Sequence, residues 1–197
     1  MRAVMLEVSQ AELARRKLTG IDRWDEMWEG VLHMSPAPSD EHQRILTELA
    51  AFLLPLMKRS ERGLLRVGIN VFRQGAGEED YRIPDLTFVA AERKAILAED
   101  GMRGGGPDAV IEIRSPGDES YEKLSFFADL GVREVLVIDR DTKKPEVFRL
   151  VGRQYQAVAQ KLEGWLPSES LGVRLRVVDG PRLALEDVTD PAARCEI

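Results

Sequence analysis

Two short apolar runs most constrain what this chain can fold into. Residues 109–114 (AVIEIR) and 134–139 (EVLVID) are rich in Val, Ile and Leu, and each has the length of a strand. The intervening residues 121–130 predict a helix that Gly131 terminates. A strand, a helix and a second strand in this order form a crossover unit, so the two runs are expected to pair in parallel.

One acid interrupts the first run. Glu112 stands between Ile111 and Ile113, in a segment whose neighbours are apolar and β-prone. An isolated carboxylate inside a buried strand is costly, so such an acid is either paired or faces a cleft. Glu112 is therefore the strongest candidate for a functional residue.

A second acid and a lysine complete a candidate site. Asp85 follows Pro84 in a predicted strand over residues 81–89, and Lys123 lies in the predicted helix after Glu112. Two carboxylates backed by a cation suggest a site for a hard metal ion, and that combination can hydrolyse a phosphodiester. The simpler alternatives are an exposed aspartate at a strand start and an exposed helix lysine.

Composition bounds the class of protein. The 197 residues fit one domain over 1–197, and the contents of 44% hydrophobic and 31% charged residues are ordinary for a soluble protein. No stretch approaches the ~20 apolar residues of a membrane span. The lone Cys195 excludes an internal disulfide framework and a Cys-based zinc site, and it fits a reducing cytoplasm. The net charge of −6 counts against tight, nonspecific DNA binding.

Other segments are predicted by pattern. Residues 9–12 match a capping box, which indicates a helix to about Lys17. Residues 27–34 read as a strand with Gly30 as a turn or bulge, and a long amphipathic helix follows from Asp40. Alternation over residues 65–71 indicates a strand, and Gly152 lies in a predicted hairpin.

The order of these residues resembles a known family. It is similar to the restriction endonuclease domains found in many bacterial genomes, which are part of the PD-(D/E)XK nuclease superfamily, over roughly residues 21–177. The motifs that carry the resemblance are residues 29–36 (EGVLHMSP), His42, Pro84-Asp85, residues 112–116 (EIRSP), Lys123 and residues 131–139 (GVREVLVID).

The resemblance implies a fold and a metal site. The fold would be α/β (mixed α+β), with a restriction-endonuclease-like core in which helices flank a mixed β-sheet. By the same resemblance, Asp85 and Glu112 would bind Mg²⁺ or Mn²⁺, with the main-chain carbonyl of Ile113 as a third ligand. Oxygen ligands suit such hard cations.

The resemblance also ranks the candidate cations and accessory residues. The superfamily's usual lysine lies two residues after the glutamate, where this chain has Arg114. In the narrower family the lysine has moved into the next helix, eight residues before the glycine that matches Gly131, and Lys123 stands there. His42 matches a histidine at the start of the family's long helix, where it either approaches the metal or a phosphate or has a surface or capping role. Glu26 matches a position near the site.

The sequence therefore predicts a cytoplasmic, metal-dependent endonuclease that hydrolyses DNA and forms a homodimer, with Asp85, Glu112 and Lys123 as its catalytic residues. Two alternatives remain open. One is a nucleic-acid-binding module that keeps the nuclease fold without cutting, which the acidic net charge and Arg114 favour. The other is an enzyme that acts on a different phosphate-containing substrate. The nuclease prediction requires the Asp85 and Glu112 carboxylates to face one cleft, with Lys123 in the same cleft.

Overall fold

The computed structural model describes residues 3–5, 8–76 and 79–197, and within these residues the chain forms three sheets and a few helices. The α-helices are α1 (Gln10–Thr19), α2 (Asp40–Arg59) and α3 (Leu124–Asp129), and short 3-10 helices span Ala91–Ile96 and Leu162–Gly164. The strands in chain order are β1 (Ala3–Met5), β2 (Asp25–Trp28), β3 (Val31–Met34), β4 (Gly63–Val67), β5 (Val71–Phe72), β6 (Tyr81–Arg82), β7 (Leu86–Ala90), β8 (Leu97–Ala98), β9 (Gly101–Met102), β10 (Ala109–Arg114), β11 (Glu134–Asp139), β12 (Pro145–Val151), β13 (Gln154–Ala157), β14 (Leu166–Ser168), β15 (Val173–Val178), β16 (Arg182–Asp187) and β17 (Arg194–Glu196).

A six-stranded mixed sheet, called here the central sheet, has the strand order β13-β12-β11-β10-β7-β4. Within it β10 and β11 are parallel, with Ala109 opposite Glu134, and the other neighbours are antiparallel. The parallel pair confirms the predicted crossover. Both strands span the predicted residues, because a continuous apolar run is typical of a strand that is buried on both faces. This mixed sheet with its helices confirms the fold class expected from the sequence.

The two faces of the central sheet are covered by different elements. Ile111 and Ile113 of β10 belong to a hydrophobic cluster that also contains the apolar face of α2. Val110 belongs to a second cluster, together with Phe126 of α3. Because side chains alternate along a strand, Glu112 lies on the face that α3 covers.

Two further sheets flank the central sheet. The N-terminal sheet has the order β1-β3-β2-β6-β5-β9-β8, and the C-terminal sheet has the order β14-β15-β16-β17. Val173 and Leu183 of the C-terminal sheet are buried in the same cluster as α2. The central sheet, helix α2 and the C-terminal sheet therefore share one hydrophobic cluster. No helix in the described ranges has the length and apolar character needed to cross a membrane.

The predicted strand over residues 81–89 is divided between two sheets. β6 pairs with β2 and β5 in the N-terminal sheet, whereas β7 pairs with β10 and β4 in the central sheet. Pro84 lies between the two strands and cannot donate a ladder hydrogen bond, which favours the break. Asp85 consequently stands where the chain crosses from one sheet to the other.

Three boundaries differ from the sequence prediction. Residues 27–34 form a hairpin of β2 and β3 rather than one strand, since Glu29 and Gly30 both have positive φ, at 50° and 86°. That pair of dihedrals is typical of a two-residue hairpin turn. Helix α3 begins at Leu124, later than predicted, and β4 ends at Val67 before a turn at Gly68.

A buried carboxylate joins the central sheet to the C-terminal sheet. Glu134 opens β11 and accepts hydrogen bonds from the Arg149 guanidinium at 2.8 and 3.1 Å. It also accepts hydrogen bonds from the Ser168 hydroxyl at 2.8 Å and from the main-chain N–H groups of Glu169 and Ser170. One side chain thus holds the start of the C-terminal sheet against the central sheet.

Replacing Glu134 with Ala should lower the free energy of unfolding by about 3 kcal/mol, because several donors would lose their acceptor in a buried place. Glu169→Ala is the matched control, since Glu169 binds the same Arg149 at 2.9 Å but its side chain is 71% exposed. The control should cost less than about 1 kcal/mol. Urea unfolding measures both variants, and equal losses would contradict the structural role of Glu134.

Candidate active site

The cleft opens where β7 and β10 part. Their paired residues end at Leu86 and Ile111. Two residues further along β10, the main-chain N–H of Ile113 donates to the Asp85 carboxylate, with 2.7 Å between N and Oδ2. The Asp85 side chain thus accepts the hydrogen bond that a main-chain carbonyl of a neighbouring strand would otherwise accept. This bond fixes Asp85 beside the end of β10.

Glu112 faces the same cleft from β10. The residue is only 4% exposed, and the Lys123 ammonium donates to its Oε1 at 3.3 Å. In the described part of the chain, Lys123 is the one hydrogen-bond donor to this carboxylate. The apolar run predicted from the sequence is therefore interrupted at a point where the strand meets a cavity.

Lys123 immediately precedes α3 and points into the cleft. Its Nζ lies 2.8 Å from Oε1 of Glu26 and 3.3 Å from Oε1 of Glu112. Its side chain is 13% exposed, so the ammonium is enclosed by these acids rather than by bulk solvent. The lysine therefore joins an acid of the N-terminal sheet to an acid of the central sheet.

Glu26 comes from β2 and is held from both sides. Its Oε1 accepts the main-chain N–H of Ile83 at 2.7 Å, and its Oε2 accepts the indole N–H of Trp28 at 2.8 Å. Trp28 was not among the site residues predicted from the sequence. A signal was present, because Trp28 follows Glu26 by two residues and therefore projects from the same face of the strand.

His42 lies at the start of α2 and contacts Asp85. Its Nε2 is 3.2 Å from Oδ2 of Asp85, and its main-chain N–H donates to the side chain of the capping residue Ser39. The buried Nδ1 has no hydrogen-bond partner in the described part of the structure. The tautomer with its proton on Nε2 fits this arrangement, since that proton would face a carboxylate.

Arg114 takes no part in this cluster. Its guanidinium lies 3.1 Å from Asp139 and over the ring of Tyr121, at 5.3 Å from the centroid. Arg114 is not among the described residues that line the cleft. Between the two cations left open by the sequence, the structure brings Lys123 and not Arg114 to the acids.

The acids, the lysine and the histidine described above, without Arg114, line one cleft of about 440 Å³. The loop over residues 115–120 forms one wall, and residues 35–39 form another. Asp118 shapes the first wall by accepting hydrogen bonds from the main-chain N–H groups of Ser115 and Ser120. The site residues that line the cleft are Glu26, His42, Asp85, Glu112, Ile113 and Lys123.

Known proteins are similar to this chain in sequence family and in fold. The family model Uma2, described as "Putative restriction endonuclease", matches residues 18–182. The chain belongs to the Uma2 family. A solved structure described as a "putative nuclease belonging to DUF820", from Anabaena variabilis, is similar to this Uma2 chain with a TM-score of 0.60 and 18% identity, over 75% of this chain and 82% of that one. That likeness shows a shared fold, and no curated protein matches this Uma2 chain.

The cleft of this Uma2 chain carries an excess of negative charge. Three carboxylates, those of Glu26, Asp85 and Glu112, surround the Lys123 ammonium. Asp118, Glu119 and Arg140 also line the cleft, so acids outnumber cations among the described lining residues. Burial raises the pKa of Glu112 well above its ordinary value. Lys123 opposes this shift, while the charges of Asp85 and Glu26 add to it.

Burial acts on the pKa of Lys123 in the opposite direction. Burial is the largest single influence on its pKa and lowers it. The charges of Glu112, Glu26 and Asp85 and the hydrogen bond to Glu26 act against burial, and the net result is that the pKa of Lys123 is raised above its ordinary value. Lys123 therefore remains a cation at neutral pH.

Two carboxylates of the cleft each keep one oxygen that no described protein contact reaches. Among residues 3–5, 8–76 and 79–197, no group of three or more His, Cys, Asp or Glu side chains is arranged to hold a metal ion. Asp85 and Glu112 supply two carboxylates, and protein contacts in the described residues reach only Oδ2 of the first and Oε1 of the second. Mg²⁺ usually keeps several waters and binds through one or two carboxylates, so two acids suffice.

In the presence of a chelator, the stability of the wild type relative to Glu112→Gln should fall as the pH rises. Unfolded Glu112 titrates near its ordinary value of 4.5, and the folded protein holds this proton more tightly. Above about pH 4.5 the folded state therefore binds more protons than the unfolded state, and raising the pH weakens folding until the folded carboxyl has ionised.

Urea unfolding at several pH values between about 4.5 and neutrality measures this difference. Glu112→Gln lacks the titrating group, so its free energy of unfolding should change less with pH. Glu122→Gln changes an exposed neighbour of Lys123 and should follow the wild type. A wild-type minus Glu112→Gln difference that is constant with pH would contradict the raised pKa.

Proposed function

We propose that this chain is a metal-dependent endonuclease that hydrolyses phosphodiester bonds in DNA. The observation that carries the proposal is the enclosure of Glu26, Asp85, Glu112 and Lys123 in one cleft whose acids outnumber its cations. Family membership supports nuclease chemistry in general. The metal, the substrate and the residue roles are our inference.

Asp85 and Glu112 would hold Mg²⁺ or Mn²⁺, and the main-chain carbonyl of Ile113 would be a third ligand. The N–H and C=O of one residue point to the same side of an extended strand, and the N–H of Ile113 points to Asp85. The carbonyl therefore faces the same edge as the carboxylate. The chemistry that such an ion supplies is Lewis acidity toward phosphate and water.

Lys123 would act as a fixed positive charge. Its raised pKa keeps it protonated, so it is suited to donate hydrogen bonds and unsuited to abstract a proton. An ammonium placed beside Glu112 can orient a water or stabilise negative charge that develops on the phosphate. This assignment follows from the contacts of Lys123 and does not need Arg114.

His42 and Glu26 would be accessory residues. His42 contacts Asp85 at 3.2 Å and would hold that carboxylate in place while Asp85 binds the cation. Glu26 is the nearer of the two acids to Lys123 and would keep the ammonium in the cleft. Neither residue needs to exchange a proton in these roles.

A nucleic-acid-binding module without cleavage remains the second candidate. The net charge of −6 is unusual for a protein that binds DNA, and Arg114 stands where the superfamily's usual lysine is expected. The position of Arg114 outside the cleft weakens the second argument, since Lys123 occupies the site instead. The predicted homodimer stays a prediction.

With Mg²⁺ or Mn²⁺ the purified protein should nick or cleave DNA, and Glu112→Gln should abolish cleavage. The substitution keeps the shape of the side chain but removes the charge that would hold the cation. The cation should also raise the melting temperature of the wild type more than that of the variant, because a ligand that binds only the folded state adds stability, by about 2.7 kcal/mol at one hundred times its Kd.

Glu122→Gln is the matched control and should cleave like the wild type, because Glu122 is exposed. Equal cleavage by the wild type and Glu112→Gln would indicate a contaminant or another active site. Failure of every DNA substrate, together with no stabilisation by either cation, would favour the binding module.

Lys123→Met should reduce the cleavage rate by roughly 10²–10³-fold, as expected when one charge-stabilising donor is removed from an active site. Arg114→Met should change the rate only a few-fold, because Arg114 binds Asp139 outside the cleft. Steady-state cleavage of one DNA substrate by both variants makes the comparison. A larger loss in Arg114→Met than in Lys123→Met would reverse the assignment of the cation.

A further inference from the structure

A column of stacked groups fixes the ring of Trp28. The imidazole of His33 stacks on the indole, with 4.1 Å between centroids and 10° between planes. The guanidinium of Arg82 also lies 4.1 Å from the Trp28 ring, and it lies 4.2 Å from the ring of Phe126. The indole is thus held by contacts that extend from β3 to α3.

Arg82 in turn has little freedom. The residue is 4% exposed, and its guanidinium donates to Asp80 at 2.8 Å and to the carbonyl of Met27 at 2.9 Å. A buried and paired guanidinium is a stiff support for an aromatic ring. The indole N–H of Trp28 therefore points in one direction, toward Glu26.

The hydrogen bond from Trp28 orients Glu26. Its Oε2 accepts the indole N–H, which leaves Oε1 for Ile83 and Lys123. Without the indole donor, the carboxylate could rotate about its last bond and weaken both contacts. Lys123 lies closer to Glu26 than to Glu112, at 2.8 against 3.3 Å, so Glu26 is the firmer of its two partners.

This order of distances matters once a cation enters. A divalent ion bound to Glu112 repels a neighbouring ammonium and competes for the carboxylate that the ammonium contacts. Lysine has a flexible stem and would swing away unless a second acid retains it. Glu26 is the acid placed to do so.

We infer that Trp28 is a positioning residue that holds Lys123 in the cation-loaded cleft by fixing the carboxylate of Glu26. The inference rests on the proposed function only in that it assumes a divalent cation at Asp85 and Glu112. Trp28 touches neither the cation ligands nor Lys123 in the described contacts, and it acts through Glu26.

The test measures the accessibility of Lys123 and does not require cleavage. Full-length protein is treated with an amine-acylating reagent with and without Mn²⁺, and mass spectrometry gives the rate at which Lys123 is modified. In the wild type the rate should be slow and should change little with Mn²⁺. Trp28→Phe keeps an aromatic ring for the stack and removes the N–H together with part of the indole. With Mn²⁺ it should raise the rate roughly tenfold, the size of effect typical of such outer contacts.

Two controls separate this effect from general loosening. Trp165→Phe makes the same change at a tryptophan that immediately precedes β14 and that Arg174 and Arg176 contact. It should leave the Lys123 rate unchanged. The exposed Lys144 should be modified equally in every variant. A rise at Lys123 in both Trp→Phe variants would indicate loosening and would overturn the inference.

A double-mutant cycle tests the route through Glu26. Glu26→Gln should itself release Lys123 in the presence of Mn²⁺, and adding Trp28→Phe should cause no further increase. If Trp28→Phe fails to fold, Glu26→Gln alone still decides, since an unchanged Lys123 rate in that variant would refute the inference. Independent, additive effects of the two changes would refute it as well.

Cleavage gives a second readout. If the wild type cuts DNA, Trp28→Phe should lower kcat while leaving the KM for DNA unchanged, and a loss that falls only on KM would contradict the inference. If the wild type cuts no DNA, the proposed function fails, whereas the modification rates still support or refute the role of Trp28.

Discussion

The hydrogen bond from the main chain of Ile113 to the Asp85 carboxylate is the contact on which the site depends. It lies where the chain leaves the N-terminal sheet, passes Pro84 and enters the central sheet. Because the ladder between β7 and β10 has ended there, a side chain completes it. The same separation of strands that costs the sheet a main-chain partner opens the cleft into which Glu112 projects.

Without a bound cation, the acidic cleft is a poor binding site for DNA. DNA is a polyanion, and among the described residues the cleft is lined by five acids and only two cations, Lys123 and Arg140. On the proposed function, a bound cation would therefore help the DNA backbone to enter the site, since its positive charge offsets the repulsion between the acids and the phosphates. Such coupling also reconciles an acidic protein with a nucleic-acid substrate, because local charge at the site decides binding there more than net charge does.

Much of the fold could be predicted from local pattern. β10 and β11 were predicted to the residue because a strand buried on both faces shows a continuous apolar run. The start of α2 at Asp40 was predicted because apolar residues recur there with the period of a helix. The turn between β2 and β3 was predicted less well. Glu29 adopts a positive φ there, and a non-glycine residue gives little sign of that conformation in the sequence.

The candidate site was predictable only in part. Asp85, Glu112 and Lys123 could be predicted because an acid within an apolar run and the spacing of known motifs are both visible in the sequence. The support given by Trp28 to Glu26, and by Glu26 to Lys123, arises from tertiary packing between residues distant in the chain. No local period encodes such contacts, so the sequence could only place Glu26 near the site.

The position of Glu112 has a consequence for how this chain would change over generations. Its side chain shares a face of β10 with Val110 and is buried, so an apolar residue there would extend the hydrophobic cluster beside α3 and end the repulsion between acids. Selection for folding alone would therefore replace the acid. A copy released from its biological task should lose Glu112 early and become more stable as it does so, and a lineage that keeps the acid reveals a use for the cleft.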